Sequence, residues 1–167
     1  PWSFTEVHRI GGADSGVASF TRASSGVVAT DRRATIAVLD WESTNRIQLF
    51  DSSGTWLRSV GAKGGGPGEI QAPSGITMDG SGRLLAFDYE KMALVHWGPD
   101  GAPLPETKWS AEHGFPWGVP QMAGDTTIAL VQVSDSIHRT TRLEVRTPRG
   151  TVSIDSIRFM RSSDTAS

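Results

Sequence analysis

The chain repeats itself about every 48 residues, and no other feature constrains its fold as tightly. Asp40 recurs as Asp88 after 48 residues, Gly26 as Gly75 after 49, Gly54 as Gly101 after 47, and Gly101 as Gly150 after 49. The offsets of one or two residues fall between apolar segments, where loops absorb them. A period of this size belongs to arrays in which each repeat is one small supersecondary unit that buries its apolar face against the next. The stretch from Arg46 to Asp88 carries the full pattern: RIQLF, a Gly turn, TWLRSV, a Gly-rich loop, SGITMD, a second Gly turn, and RLLAFD.

Three copies align, over residues 26–61, 75–109 and 118–158, within one domain spanning 1–167. Residues 1–25 read as the outer strand of a preceding blade (VHRIGG) plus a connector, and 159–167 as a tail. Ile36 to Leu39 and Leu84 to Phe87 are short unbroken apolar runs, the mark of strands buried on both faces. Arg46 to Phe50 and Arg142 to Arg146 alternate, which predicts one wetter face. DSSG, GPDG and TPRG supply the turns, with Asp or Pro opening them and Gly free to take positive φ. Helical spacing of apolar residues is sustained nowhere. The expected fold is all-β: about three four-stranded antiparallel blades, a partial β-propeller.

Composition removes several function classes. A net charge of −2 gives no basic field for nucleic acid. The absence of cysteine excludes disulfides and thiolate zinc sites. Apolar runs are too short to span a bilayer, so no transmembrane segment of its own is expected. The first residue is Pro, which fits a chain with a removed leader or numbering that begins inside a longer one.

Copies one and two resemble NHL-type repeats of six-bladed β-propellers, in the TolB-like propeller superfamily. The matching pieces are Leu39-Asp40, Phe87-Asp88, Leu49-Phe50-Asp51, Gly66-Pro67-Gly68-Glu69-Ile70 and Pro73-Ser74-Gly75, with Ile70 in place of the usual Phe. The third copy departs: Val131 or Val133 stands where Asp40 and Asp88 stood, and the loop from Ser134 to Thr141 is longer.

Candidate chemistry is sparse. Asp40 and Asp88 are either metal-holding carboxylates near a channel mouth or caps on the turn between the second and third strands, and their periodic placement favours caps. Asp31 and Asp79 read the same way. The loop Gly64 to Gly68 lacks the following helix of a phosphate-binding loop and reads as a connector between blades. The histidines, His8, His96, His113 and His138, are scattered. His113 lies beside Glu112 in the loop SAEHGFPWGVP, where an acid/base pair is conceivable. Trp109, His113, Phe115 and Trp117 form the candidate partner-contact loop, the alternative being that the aromatics cover the seam between blades two and three.

Three blades are half of a six-bladed ring, and an open half-ring leaves apolar faces and strand edges to be covered. The expectation is a non-catalytic interaction or scaffold module without a cofactor, an accessory subunit docked on a larger complex, membrane-associated and extracytoplasmic as the resemblance implies. The resemblance also implies an alternative, a lactonase- or lyase-type enzyme holding a divalent ion with Asp40, Asp88 and His96 or His113. The loop tryptophans suggest another, a glycan- or peptide-binding propeller using Trp109 and Trp117 as stacking platforms.

Overall fold

The computed structural model describes residues 3, 5–6, 10, 16, 19–21, 28–42, 44–110, 114–116, 118–134 and 138–160. All regular structure among them is β, apart from a single 3₁₀ position at residue 16. Among the described residues, thirteen strands form three separate antiparallel sheets, each a meander in chain order.

The first sheet holds β1 (Val28–Thr30), β2 (Ile36–Asp40), β3 (Arg46–Phe50) and β4 (Trp56–Val60). The second holds β5 (Pro73–Met78), β6 (Leu84–Asp88), β7 (Ala93–Trp97) and β8 (Pro103–Lys108). The third orders β10 (Gln121–Ala123), β11 (Thr126–Ser134), β12 (His138–Thr147) and β13 (Gly150–Met160), with β9 (Phe115–Pro116) added beside β11. β5 approaches both β1 and β10, and the Thr77 hydroxyl donates to Gln121 Oε1 across 3.2 Å.

Three of the hairpin turns, β1–β2, β3–β4 and β5–β6, are each organised by one carboxylate. Asp31 accepts the N–H groups of Arg33 and Thr35, Asp51 those of Ser53 and Thr55, and Asp79 those of Ser81 and Arg83. These Asp-led turns fix which residues face each other, and hence the register.

Alternation then sorts side chains between seams. Ala37, Leu39, Ile47 and Leu49 of the first sheet meet Leu84, Ala86, Val95 and Trp97 of the second in one buried cluster. The other face of the second sheet, Leu85, Phe87 and Leu94, meets Ala129 and Val131 of the third in another, closed by Trp109. The middle sheet is thus apolar on both faces, as its unbroken LLAF run predicts.

The third sheet departs from expectation. Ser134 and His138 to Thr141 are strand, not loop: Ser134 closes β11, and Thr140 and Thr141 pair with Val133 and Gln132. β-Branched threonines suit a pleated surface even where apolar alternation is lacking.

Candidate functional site

The register assigns every repeat position its counterpart. Asp40 pairs with Arg46, Asp88 with Ala93, and Val131 with Arg142. Val131, rather than Val133, therefore occupies the Asp position of the third copy.

Both carboxylates at that position are engaged as acceptors. Asp88 takes the N–H groups of Glu90 and Lys91 in the turn after β6, and those of Gln71 and Ala72 in the incoming connector. Asp40 takes the Thr21 N–H and the Thr44 hydroxyl and lies 3.5 Å from Arg46. Each Asp staples a connector to the β-turn of its own sheet, and both are fully buried. Val131 cannot do this. In the third sheet the chain instead continues as strand and pairs its backbone with the connector, Val131 with Pro116 and Gln132 with Phe115. Among the described residues, no three His, Asp or Glu side chains gather as a metal site requires.

The Gly-rich loop is filled from within. Glu69 folds back so that its carboxylate accepts the Gly66 N–H at 2.8 Å, while Lys91 donates to the carbonyls of Gly66 and Glu69 and pairs with Glu106. Gly68 has φ +70°, and a Cβ there would lie 2.6 Å from Pro103, so only glycine fits. Its carbonyl receives the Trp97 indole N–H. This loop joins β4 to β5 and seals the first seam.

The proposed contact loop divides. Trp109 is 4 % exposed, edge-on to Phe87 and beneath the Arg146 guanidinium, whose carbon lies 3.4 Å from its ring centroid. Its indole donates to the Gly114 carbonyl. It occupies the seam. Phe115 is 49 % exposed, next to Tyr89, whose hydroxyl donates to the Pro116 carbonyl. His113 and Trp117 lie outside the described residues. His96 lies in β7, hydrogen-bonded with the Thr107 hydroxyl at 3.3 Å. Burial, and secondarily the charge of Arg83, pushes its pKa down against the opposing pull of Glu106.

Two features went unread in the sequence. The first is the outward face of the third sheet. In β11 the small residues Thr127, Ala129 and Val131 point inward, whereas Ile128 and Leu130 point out. Ile128 pairs with Val145 and Val145 with Val152, which places all three on one face. Leu130, Val152 and Ile154 are 47 %, 63 % and 62 % exposed. Their counterparts in the second sheet, Leu85 and Phe87, are fully covered by the third. Single exposed apolar residues are ordinary, but a contiguous stripe marks a contact surface.

The second is a change of polarity in the seam between sheets two and three. Ala93, Val95 and Trp97 face the first sheet; at the same positions Arg142, Glu144 and Arg146 face the second. Glu144 is 1 % exposed and accepts from Arg142 at 2.7 Å and from Arg146 at 2.9 Å. The alternating RLEVR pattern showed both residue types but not which set lay inside.

Among the described residues no helix is long and apolar enough to cross a membrane. Comparison with solved structures finds a Bacteroides fragilis protein, provisionally described as exported, that shares the fold at TM-score 0.62 and 17 % identity, with 89 % of this chain and 40 % of that one covered. This chain thus spans well under half of that neighbour. A Bacteroides vulgatus protein of the DUF4221 family covers 79 % of this chain and 44 % of its own, at 10 % identity and TM-score 0.45, too low to carry an argument. No curated protein matches. The family described as 6-bladed beta-propeller (DUF5128) matches residues 25–115, the first two sheets with their connectors, and the chain belongs to that family.

Proposed function

We propose that this chain is a non-catalytic interaction module: NHL-type blades of an extracytoplasmic six-bladed propeller, serving as an accessory part of a larger assembly. The observation that carries the reading is the stripe of Ile128, Leu130, Val152 and Ile154 on the third sheet. Covering it supplies roughly 1 kcal/mol per side chain, about 4 kcal/mol in all, which suits a sheet of the same chain better than a free partner that must offset the entropy of association. The occupant is a further sheet of the same repeat. Between the second and third sheets, a sheet face of this construction is covered by another sheet, and a six-bladed ring has more blades than the three sheets among the described residues.

Two observations support a binding rather than a catalytic role. Asp40 and Asp88 are spent on backbone N–H groups, and the Gly-rich loop is occupied by Glu69. The extracytoplasmic placement rests on the likeness to the Bacteroides fragilis protein provisionally described as exported. The test is binding of an environment-sensitive apolar dye to the chain and to a Leu130→Asp/Ile154→Asp variant, whose outward positions leave the core untouched. The wild-type chain binds dye or self-associates, and the variant does neither.

A further inference from the structure

The seam between the second and third sheets opens into a cleft of ≈ 410 Å³, lined by Leu94, Leu104 and Met122 and by Arg83, His96 and Arg146. That volume lies within the range of small-molecule sites, which combine apolar walls with a few converging polar groups.

The repeat itself supplies the control. Trp97 pairs with Leu84 in the second sheet, and Arg146 pairs with Thr127 at the same position of the third. Leu49 pairs with Ala37 in the first sheet, and His96 with Leu85 in the second. The first seam therefore carries Leu49 and Trp97 where the second carries His96 and Arg146. Holding the sheets together does not require this polarity, because the first seam manages with apolar residues. Burying charge there costs stability unless it is paired. Departures from local rules that the fold does not need are where a site is expected.

Two guanidiniums at the cleft keep a donor for an anionic ligand. Arg146 commits Nε and Nη2 to Glu144, and Arg83 commits Nε to Asp79 and Nη1 to Asp125. Among the described residues this leaves Nη1 of Arg146 and Nη2 of Arg83 without a protein acceptor. The Asp125 side chain is 75 % exposed, so water screens it, whereas that of Arg146 is 15 % exposed. The stem side of the cleft is hydrocarbon.

We propose that this cleft is a binding site for a small amphiphilic carboxylic acid, its carboxylate meeting the guanidiniums of Arg83 and Arg146 and its hydrocarbon lying on Leu94, Leu104 and Met122. The site is independent of the open face of the third sheet, so either proposal can fail alone. The lowered pKa of His96 is consistent with it: a neutral imidazole bonded to Thr107 adds a donor or acceptor without a second buried charge.

The probe is hexanoate, titrated at neutral pH into the 167-residue chain while the Met122 and Leu94 methyl resonances are followed. A ligand of this size is expected to bind with a Kd on the order of 1 mM. Hexan-1-ol, which lacks the charge, binds about tenfold more weakly or not at all, and Arg83→Gln weakens hexanoate by about tenfold. Thr107→Trp blocks the cleft from an exposed rim position and abolishes the shifts without disturbing the core. The proposal is overturned if hexanoate fails to saturate, if hexan-1-ol binds as well, or if neither variant changes the titration.

Discussion

The two seams of this molecule are made from the same positions of one repeat, yet they close by different means. Between the first and second sheets, Trp97 fills the outer end, its indole held by the Gly68 carbonyl, and Val95 lies beneath it with no exposed surface. Between the second and third, Glu144 and two arginines take those places, and Trp109, delivered by the connector, is stacked under Arg146. The connectors differ in step. The first is stapled by a buried carboxylate, Asp88, while the second is held by strand pairing of Phe115 and Pro116 with β11. The difference teaches that the fold demands complementary packing at each seam but not a particular chemistry. The chemistry of the second seam is free to do something else.

The largest expected effect lies in the apolar seam. Trp97→Ala removes a fully buried ring and its hydrogen bond to Gly68 and should cost about 3–5 kcal/mol, read as a lower denaturant midpoint. A loss below about 1 kcal/mol would mean that the seam collapses around the gap and that packing there is not what joins the sheets.

A more discriminating test converts one seam into the other. Arg142→Ala, Glu144→Val and Arg146→Trp together install in the third sheet the residues of the second. The triple variant should be as stable as the parent or up to about 4 kcal/mol more stable, since an apolar set often outperforms a buried ionic one. Glu144→Val alone should be destabilising, because it removes the buried carboxylate that Arg142 and Arg146 share. A triple variant less stable than the parent would show that the ionic set holds the seam rather than merely occupying it.

The smallest effect concerns the rim of the second seam. Burial alone would raise the Asp79 pKa, but hydrogen bonds from Ser81 and Arg83 outweigh it and lower it from 3.8 to about 2. A depressed folded-state pKa gives stability that is present above the unfolded value and is lost as pH falls through the folded one. The parent should therefore lose stability between about pH 4 and pH 2, and Asp79→Asn should flatten that part of the profile. Identical profiles would detach Asp79 from the stability of this rim.

Much of this architecture was legible before any coordinates. The repeat placed the strands of the first two sheets to within a few residues, because Asp-led turns and apolar runs are local signals. At the recurring position Asp88 takes two turn N–H groups, whereas Asp40 takes the Thr44 hydroxyl of its turn and the Thr21 N–H of the connector. What sequence could not show depended on register. Arg142, Glu144 and Arg146 alternate with Leu143 and Val145, and nothing local states which set faces inward. The outward stripe has the same origin: in the apolar run from Ile128 to Val131 nothing local states which residues face in, and the smaller Thr127, Ala129 and Val131 take the inside. The extension of β11 past Val131 follows from losing the Asp that ends β2 and β6, and polar residues such as Thr140 and Thr141 gave no apolar pattern to announce it.

The claim that most needs testing is that the third sheet presents a surface made to be covered. Apolar-dye fluorescence of the chain, measured against the Leu130→Asp/Ile154→Asp variant under native conditions, addresses it directly. The account predicts strong dye binding or concentration-dependent self-association for the parent and neither for the variant, with unchanged thermal unfolding. A monomeric, cooperatively folded parent that binds no dye would contradict it.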